Sequence, residues 1–203
     1  MLLYQFRMGT NPRRVIIYLS EKGIEVPRYE LDYANGEHRS ARYRDINPSG
    51  RAPALVTETG LVITDSAAIV EYLEEHYPEK PMIGTDSLSR ARVRSLERLG
   101  SDLVARGQLW LWNQTSAFPV KEAMPSQETA DRIWRYISEL LDVLEAEIGD
   151  NAFLAGAEPT IADFTVFPIF QTARERFQLP FGDGHPRLDA WYKRFRGRPS
   201  ADY

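Results

Sequence analysis

The sequence contains no cysteine and only three histidines among its 203 residues. Without cysteine there is no disulfide framework, thiolate zinc site, cysteine nucleophile or CxxC redox pair. Any thiol chemistry must therefore use a thiol that a ligand carries. Because His38, His76 and His185 are far apart along the chain, we expect no metal site.

Long apolar runs and an excess of positive charge are also missing. No stretch approaches the roughly 18 apolar residues of a membrane span, and the first residues do not resemble a signal peptide. Lys+Arg 25 against Asp+Glu 29 gives a formal net charge of -4. Nucleic acids and anionic membranes favour basic faces, so neither is expected as a partner. We predict a cytoplasmic protein.

Short β-like segments and a helix alternate at the start of the chain. Leu2–Phe6 predicts a buried strand. A helix then begins at Asn11-Pro12, runs to about Lys22 and stops at Gly23. Residues 28–31 predict a second strand, which completes a βαβ unit.

A second group of elements follows a polar stretch, residues 34–50, that we interpret as irregular. Residues 54–56 and 61–63, separated by a turn, predict a β-hairpin. A helix then begins at Ser66. One small mixed sheet flanked by helices satisfies this order of elements.

Pro78, Pro81 and Gly84 break both periodicities and predict a linker. Apolar residues then recur every three or four positions, as at Leu96, Leu99 and Leu103, which predicts helices. The expected organisation is therefore an α/β domain over residues 1–78, a linker over 79–87 and an all-helical domain over 88–203.

Ala52-Pro53 precedes the predicted strand at residues 54–56. Proline cannot donate to a sheet ladder, so it marks a strand edge or a turn. If the bond is cis, the amide and carbonyl of Ala52 face solvent and can pair with an extended peptide. The alternative is an ordinary proline at a strand entry.

Thr64-Asp65-Ser66 stands at the head of a predicted helix. The helix N–H groups and the Ser66 hydroxyl suit a carboxylate, and Asp65 suits an ammonium group. Together they match the head of a free amino acid. The alternative is helix capping by Asp65 or Ser66 without any ligand.

Two further positions are candidates for anion binding. His38 and Arg51 could donate to an anion at the far end of the same ligand, or they could simply be solvated. Asn11 and Pro12 fit a helix start, with Asn11 as the N-cap. Arg13 and Arg14 oppose the helix dipole there, so we hypothesise that they raise the potential at a bound thiolate.

In combination, these segments resemble the cytosolic glutathione transferase family along the whole chain. The resemblance rests on the His38 to Asn47-Pro48 segment, on residues 51–55 and on residues 63–69. In the second half it rests on Thr160-Ile161-Ala162-Asp163, a capping box, and on residues 185–200. Features of the theta, delta and nu classes are all present.

This resemblance implies a thioredoxin-like domain that binds glutathione and a helical domain that shapes a hydrophobic second-substrate site. Asp65 and Ser66 would bind the γ-glutamyl head, and Ala52, before a cis Pro53, the cysteinyl backbone. His38 and Arg51 would lie toward the glycine carboxylate. Thr160 and Asp163 would have structural roles.

The thiol-activating residue departs from the family pattern. The usual Ser or Cys position falls on Gly9, which has no side chain. Thr10 and Asn11 are the nearest polar residues, and we predict that they activate the thiol, as in nu-like members. Tyr4 lies at a position that resembles the beta-class tyrosine.

Apolar residues of the helical half are candidates for the second-substrate site that the resemblance implies. Trp110, Trp112, Phe118 and Met124 offer an apolar surface, with core packing as the alternative, and Arg106 could add polar specificity. We expect a homodimer that conjugates glutathione, its co-substrate, to a hydrophobic electrophile. A glutathione-dependent disulfide or peroxide reductase and a non-catalytic glutathione-binding module are the alternatives.

Overall fold

The computed structural model describes residues 1–114 and 125–202, which form two compact units. One unit comprises Met1–Met82 together with the C-terminal residues from Arg198, and the other comprises Ile83–Gly197. The predicted boundaries assigned all of 88–203 to the helical domain. In the structure, residues 198–202 belong to the first unit instead. Hydrogen bonds with Arg13 and Glu21 connect them to α1.

The first unit is a four-stranded mixed sheet with three α-helices, in the strand order β2-β1-β3-β4. β1 pairs parallel with β2 and antiparallel with β3, and β3 pairs antiparallel with β4. This arrangement contains the predicted βαβ unit and hairpin. The elements are β1 Leu2–Gln5, α1 Thr10–Lys22, β2 Arg28–Glu30, α2 Ala41–Ile46, β3 Ala54–Val56, β4 Val62–Ile63 and α3 Ser66–His76.

Helix α1 ends where the sequence predicts and begins earlier. Gly23 adopts φ 70°, and its N–H bonds the carbonyls of the last turn, as expected for a glycine stop. The N-cap is Gly9, in an extended conformation without a side-chain hydrogen bond. The prediction that Asn11 caps the helix is therefore wrong, because Pro12 occupies the third helical position rather than the first.

A buried ion pair packs α1 on α3. Lys22 Nζ lies 3.0 Å from a Glu74 carboxylate oxygen, and the Tyr18 hydroxyl donates to the same oxygen at 2.6 Å. Burial and the Glu74 carboxylate raise the pKa of Tyr18, so its hydroxyl remains a donor. These contacts fix the helix that carries the predicted thiol-activating residues.

The segment predicted to be irregular contains helical structure. A 3-10 turn, Glu37–Arg39, precedes α2. Ser40 caps α2 by accepting a hydrogen bond from the Tyr43 N–H at 3.2 Å. Tyr43 is the buried residue of this short helix and packs in a small cluster with Leu31 and Ala54.

The second unit is helical, as predicted. Gly100 and Gly107 let α4 approach α6 closely, since a Cβ at these positions would lie 2.6 Å from Val166 Cγ2 and 2.7 Å from Ile169 Cγ1. The helices are α4 Ser87–Gln114, α5 Gln127–Ile148, α6 Ile161–Gln171 and α7 Pro186–Arg196, and a π-helical turn, Thr172–Arg176, extends α6. The fold class, an α/β thioredoxin-like domain and an all-α domain, is confirmed.

The predicted capping box at α6 is present. Asp163 accepts from the Thr160 N–H at 2.8 Å, the Leu154 N–H at 2.9 Å and Trp191 Nε1 at 2.8 Å. Burial raises the pKa of Asp163, and these hydrogen bonds oppose that effect. Thr160 and Asp163 therefore have the structural role that the resemblance implies.

Within the described ranges, no helix is long and apolar enough to cross a membrane.

Candidate functional site

The sheet register brings four candidate segments to one edge of the first unit. Tyr4, near the carboxyl end of β1, pairs with Ala54, the first residue of β3. Leu55 pairs with Ile63, the last residue of β4. The starts of α1 and α3 and the entry to β3 therefore lie at the same edge, and β2 ends there too because it runs parallel to β1.

The loop that enters β3 offers backbone groups at this edge. The Ala52–Pro53 peptide bond is cis. The Arg51 carbonyl accepts from the Tyr43 hydroxyl at 2.7 Å and from Asn47 Nδ2 at 2.6 Å. In the described part of the chain, the N–H and carbonyl of Ala52 have no hydrogen-bond partner. Ala52 thus presents a donor and an acceptor suited to an extended peptide.

The start of α3 combines a cap with unused polar groups. Asp65 is the N-cap, and its Oδ1 accepts from the N–H groups of Ala67 at 2.8 Å and Ala68 at 3.1 Å. Asp65 is exposed, and Oδ2 has no partner among residues 1–114 and 125–202. The Ser66 hydroxyl has none within those ranges either, although Ser66 is 4% exposed. Capping and ligand binding by Asp65 are therefore compatible.

His38 is not a solvated loop residue. Its ring stacks on Tyr33 with centroids 3.9 Å apart, and Tyr33 stacks in turn on Phe6 at 4.5 Å. Nδ1 is buried and has no hydrogen-bond partner in the described ranges. Burial first, and then the charges of Arg39 and Arg44, lower the pKa of His38, so the ring is neutral at pH 7. Arg51, by contrast, is exposed.

The start of α1 carries Thr10 and Asn11 at its first two helical positions. Thr10 is 7% exposed, whereas Asn11 is half-buried. Neither the backbone N–H nor the side-chain amide of Asn11 has a partner in the part of the chain described. Both groups are therefore available at a helix N-terminus, where negative charge is stabilised.

Arg13 has a role that the sequence did not indicate. It is 1% exposed, and its guanidinium donates to the carbonyls of Asp202 at 2.6 Å and Ala201 at 2.9 Å. These contacts account for a cation in the first turn of α1 without a bound thiolate. The hypothesis that Arg13 and Arg14 raise the potential at a bound thiolate stays a prediction.

The predicted second-substrate residues belong to the second unit. Arg106 pairs with Asp102 at 2.9 Å and lies over the Tyr136 ring at 5.2 Å. Trp110 is 4% exposed and packs against Trp134 and Phe181, so it is part of the core of this unit. Trp112 is 42% exposed. Phe118 and Met124 lie outside the described residues.

Tyr43 and Asn47 hold the entry to β3, and neither was predicted as a site residue. The available signal was Asn47 ahead of Pro48-Ser49-Gly50, since asparagine often bonds the backbone of a turn that follows it. Asn47 Oδ1 does accept from the Ser49 N–H at 3.1 Å. No group of three or more His, Cys, Asp or Glu side chains in the described ranges is placed to hold a metal ion.

Comparison with known proteins matches both units. Residues 10–76 match the glutathione S-transferase N-terminal domain, and residues 127–194 match the glutathione S-transferase C-terminal domain. Maleylacetoacetate isomerase of Pseudomonas aeruginosa is 32% identical, over 94% of this chain and 86% of its own length. Glutathione S-transferase 2 of Schizosaccharomyces pombe is 27% identical, over 98% of this chain and 91% of its own length.

Solved structures agree with these matches. A glutathione S-transferase domain-containing protein of Marinobacter aquaeolei has a TM-score of 0.88 and 27% identity, with both chains fully covered. A glutathione transferase of Phanerochaete chrysosporium, in complex with oxidized glutathione, has a TM-score of 0.82 and 26% identity, over 98% of this chain and 91% of its own. The chain therefore belongs to the glutathione S-transferase family.

Proposed function

We propose that the protein is a glutathione transferase that joins the glutathione thiolate to a hydrophobic electrophilic small molecule. The observation that carries this proposal is the backbone of Ala52, which lies at the sheet edge where α1 and α3 also begin. Its N–H and carbonyl have no hydrogen-bond partner among the described residues. An extended peptide can pair with that backbone. One of its ends can then reach the start of α3, and the other can reach His38 and Arg51.

The glutathione contacts follow from the chemistry of each group. The γ-glutamyl head carries an ammonium and a carboxylate, which suit Asp65 Oδ2 and the Ser66 hydroxyl at the start of α3. The cysteinyl backbone pairs with Ala52 beside cis Pro53. His38 and Arg51 serve the glycine carboxylate, with neutral His38 donating one N–H.

Thiol activation is assigned to Asn11 and Thr10. A free thiol has a pKa of about 8.5, and lowering it by about two units requires roughly 2.7 kcal/mol of differential stabilisation. The start of α1 and two short hydrogen bonds can together supply that amount. Asn11 is the stronger candidate, because its amide has no partner in the described protein.

The site for the hydrophobic second substrate is supported by fewer observations than the glutathione site. Arg106 and Trp110 remain candidates for this site in the second unit, together with Phe118. Because Trp110 is packed, its contribution would be the shape of the apolar wall rather than a polar contact.

The test is a pH titration of thiolate absorbance for glutathione bound to the purified protein, compared with free glutathione. We expect the bound thiol pKa to be lower by one to two units, roughly the range of activated thiols. Asn11→Ala should abolish most of this pKa shift, and Thr10→Val a smaller part of it. Absence of binding would contradict the glutathione site itself, and binding with an unshifted pKa would favour a non-catalytic binding module.

A glutathione-dependent isomerase is the second candidate. It is favoured by two relatives of 32% identity, maleylacetoacetate isomerase of Pseudomonas aeruginosa and the probable maleylacetoacetate isomerase of Caenorhabditis elegans. In such a reaction the thiolate adds to a double bond and leaves again, so glutathione is not consumed. Rates with an aryl halide, a disulfide, a hydroperoxide and maleylacetoacetate would separate transferase, reductase and isomerase.

A cytoplasmic homodimer completes the proposal. Leu88 is 80% exposed beside a surface cavity of about 600 Å³ at the start of α4, and exposed apolar side chains of this kind favour a covered surface. Sizing chromatography with light scattering tests the dimer, and a monomeric mass would contradict it.

A further inference from the structure

Residues 198–202 lie along α1 in the first unit. Arg198 leads into a 3-10 turn, Pro199–Ala201, and Asp202 follows it. This C-terminal segment, residues 198–202, contacts α1 through two sets of hydrogen bonds, one at each end of the helix. Neither set belongs to the glutathione site described above.

The first set holds the end of α1. The Glu21 carboxylate accepts from Arg198 Nε and Nη2, both at 2.7 Å, and from the Ser200 hydroxyl at 2.5 Å. A two-point arginine–carboxylate pair fixes direction as well as distance. This end of the helix is therefore anchored, but it is remote from Thr10 and Asn11.

The second set holds the start of α1. Arg13 donates from its two terminal nitrogens to the carbonyls of Asp202 and Ala201, and it is 1% exposed. The N–H of Arg13 also closes the first turn by donating to the Gly9 carbonyl at 3.0 Å. The residue that completes the first helical turn is thus the residue anchored by the C-terminal segment.

This anchor matters because the N-cap residue of α1 is a glycine, which has no side chain to cap the helix. Gly9, the N-cap, makes no side-chain hydrogen bond. Helix ends without caps fray, and a frayed first turn would not hold Asn11 in one place. Thiol activation depends on donors held close to one geometry, since a displacement of about 1 Å can cost a large factor in rate.

We propose that the hydrogen bonds from Arg13 to the carbonyls of Ala201 and Asp202 position the first turn of α1 for thiol activation. Arg13 is a positioning residue that acts through Thr10 and Asn11 without touching glutathione. The proposal rests on the assignment of thiol activation to this turn.

Three variants distinguish an effect of Arg13 on the position of the first turn from an effect of its charge and from a loss of overall stability. Arg13→Lys keeps the charge and removes the planar fork that spans two carbonyls. Arg13→Met removes both the charge and the fork. Arg198→Met is the matched control, because it breaks the anchor at the far end of the same helix.

Two measurements are made on the full-length variants. The first is the pKa of the bound glutathione thiol, with kcat/KM against pH. We expect Arg13→Lys to move the thiol pKa toward that of free glutathione and to lower kcat/KM at neutral pH on the order of 10-fold. The KM for glutathione should change less than kcat, and Arg198→Met should leave the thiol pKa unchanged even where it lowers Tm.

The second measurement is amide hydrogen exchange without glutathione. Exchange at Arg14 and Val15 should quicken in Arg13→Lys and stay at the wild-type rate in Arg198→Met. Since this readout needs no ligand, it decides the anchoring claim even if wild-type protein fails to lower the thiol pKa. If the wild-type protein does not lower the thiol pKa, the proposed function fails. If exchange at Arg14 and Val15 is also unchanged in Arg13→Lys, the anchoring of the first turn by Arg13 is overturned as well.

Three further outcomes would overturn the proposal while the proposed function stands. Arg13→Lys could match wild type while Arg13→Met loses the pKa shift, which would assign the effect to charge alone. Arg13→Lys and Arg198→Met could move the pKa equally at equal loss of Tm, which would assign it to general stability. Where Arg13→Met does not fold, an unmoved pKa in Arg13→Lys is sufficient to overturn it.

Discussion

The Tyr43 hydroxyl donates a 2.7 Å hydrogen bond to the carbonyl of Arg51, the residue that precedes Ala52. Burial raises the pKa of Tyr43 to about 12, so the hydroxyl keeps its proton over the working range. Asn47 donates to the same carbonyl at 2.6 Å. The backbone that we propose to pair with the cysteinyl residue of glutathione is therefore held by the side chains of Tyr43 and Asn47.

Tyr43→Phe removes one of these donors with little change in volume. We expect the free energy of unfolding to fall by about 1 kcal/mol and the affinity for glutathione to fall several-fold, because the Arg51–Ala52 backbone is less fixed. Tyr29→Phe is a matched control, since its hydroxyl donates to Glu37 and not to this loop. Calorimetric titration with glutathione would contradict the prediction if both variants bound it equally well.

His38→Ala should weaken the binding of glutathione and not that of γ-glutamylcysteine, which lacks the glycine carboxylate. The pKa of His38 is lowered, so its protonated form appears only as pH falls below the usual range of histidine. Protonation adds a charge facing the carboxylate, and the preference for glutathione over γ-glutamylcysteine should therefore increase from about pH 8 to about pH 5. A preference independent of pH in the wild-type protein, or the same loss for both peptides, would place the glycine carboxylate elsewhere.

Gly9→Ser places a hydroxyl at the family's usual position, but the structure leaves little room for it. A Cβ on Gly9 would lie 3.1 Å from Pro12 Cδ and 3.3 Å from the Phe6 carbonyl oxygen. We expect a loss of about 1 kcal/mol in stability without a gain in kcat. The double variant Gly9→Ser, Pro12→Ala relieves the ring contact and should recover stability. A more active and equally stable single variant would refute this steric argument.

Glu21 links stability to pH. Burial alone raises the pKa of this carboxyl, but hydrogen bonds from Arg198 and Ser200 outweigh burial and lower it below 4.5. Such a group stabilises the fold above its unfolded pKa, and this contribution is lost as pH falls through the lower folded pKa. Glu21→Gln should therefore lower the free energy of unfolding by about 2 kcal/mol near neutral pH and by much less near pH 3.

Urea denaturation at the two pH values measures this difference. Glu58→Gln serves as the control because Glu58 is exposed on the β3–β4 turn. A loss in Glu21→Gln that persisted unchanged in acid would mean that the Arg198 and Ser200 contacts do not depend on the ionised carboxylate.

Local patterns were sufficient to predict much of the fold. The strand–helix–strand order, the hairpin, the Gly23 stop and the capping box at Asp163 all depend on residues close together in sequence. The α2 helix was missed because it is short and buries a single residue, Tyr43, which leaves too little periodicity to detect. The N-cap of α1 was misplaced because proline fits any position of the first turn.

Some features of the candidate site could likewise be predicted from local sequence, and others could not. Asp65 as a cap and Ala52 before a proline can be recognised from a few adjacent residues. The partners of Arg13 and the stacking of His38 on Tyr33 depend on the tertiary structure. Arg13 and Asp202 are 189 positions apart, and local sequence gave no sign that one binds the other. A cation at Arg13 is unusual in a first helical turn, and the carbonyls that bind it belong to residues distant in sequence.

The discontinuity of the first unit has a consequence for the order in which the protein forms. Residues 198–202 leave the ribosome after all of Ile83–Gly197, so α1 lacks these partners until the helical unit has been synthesised. A nascent chain ending at Met82 has the sheet and its helices but leaves Glu21 without Arg198 and Ser200. Synthesis of the first unit therefore begins before that of the helical unit and is completed after it.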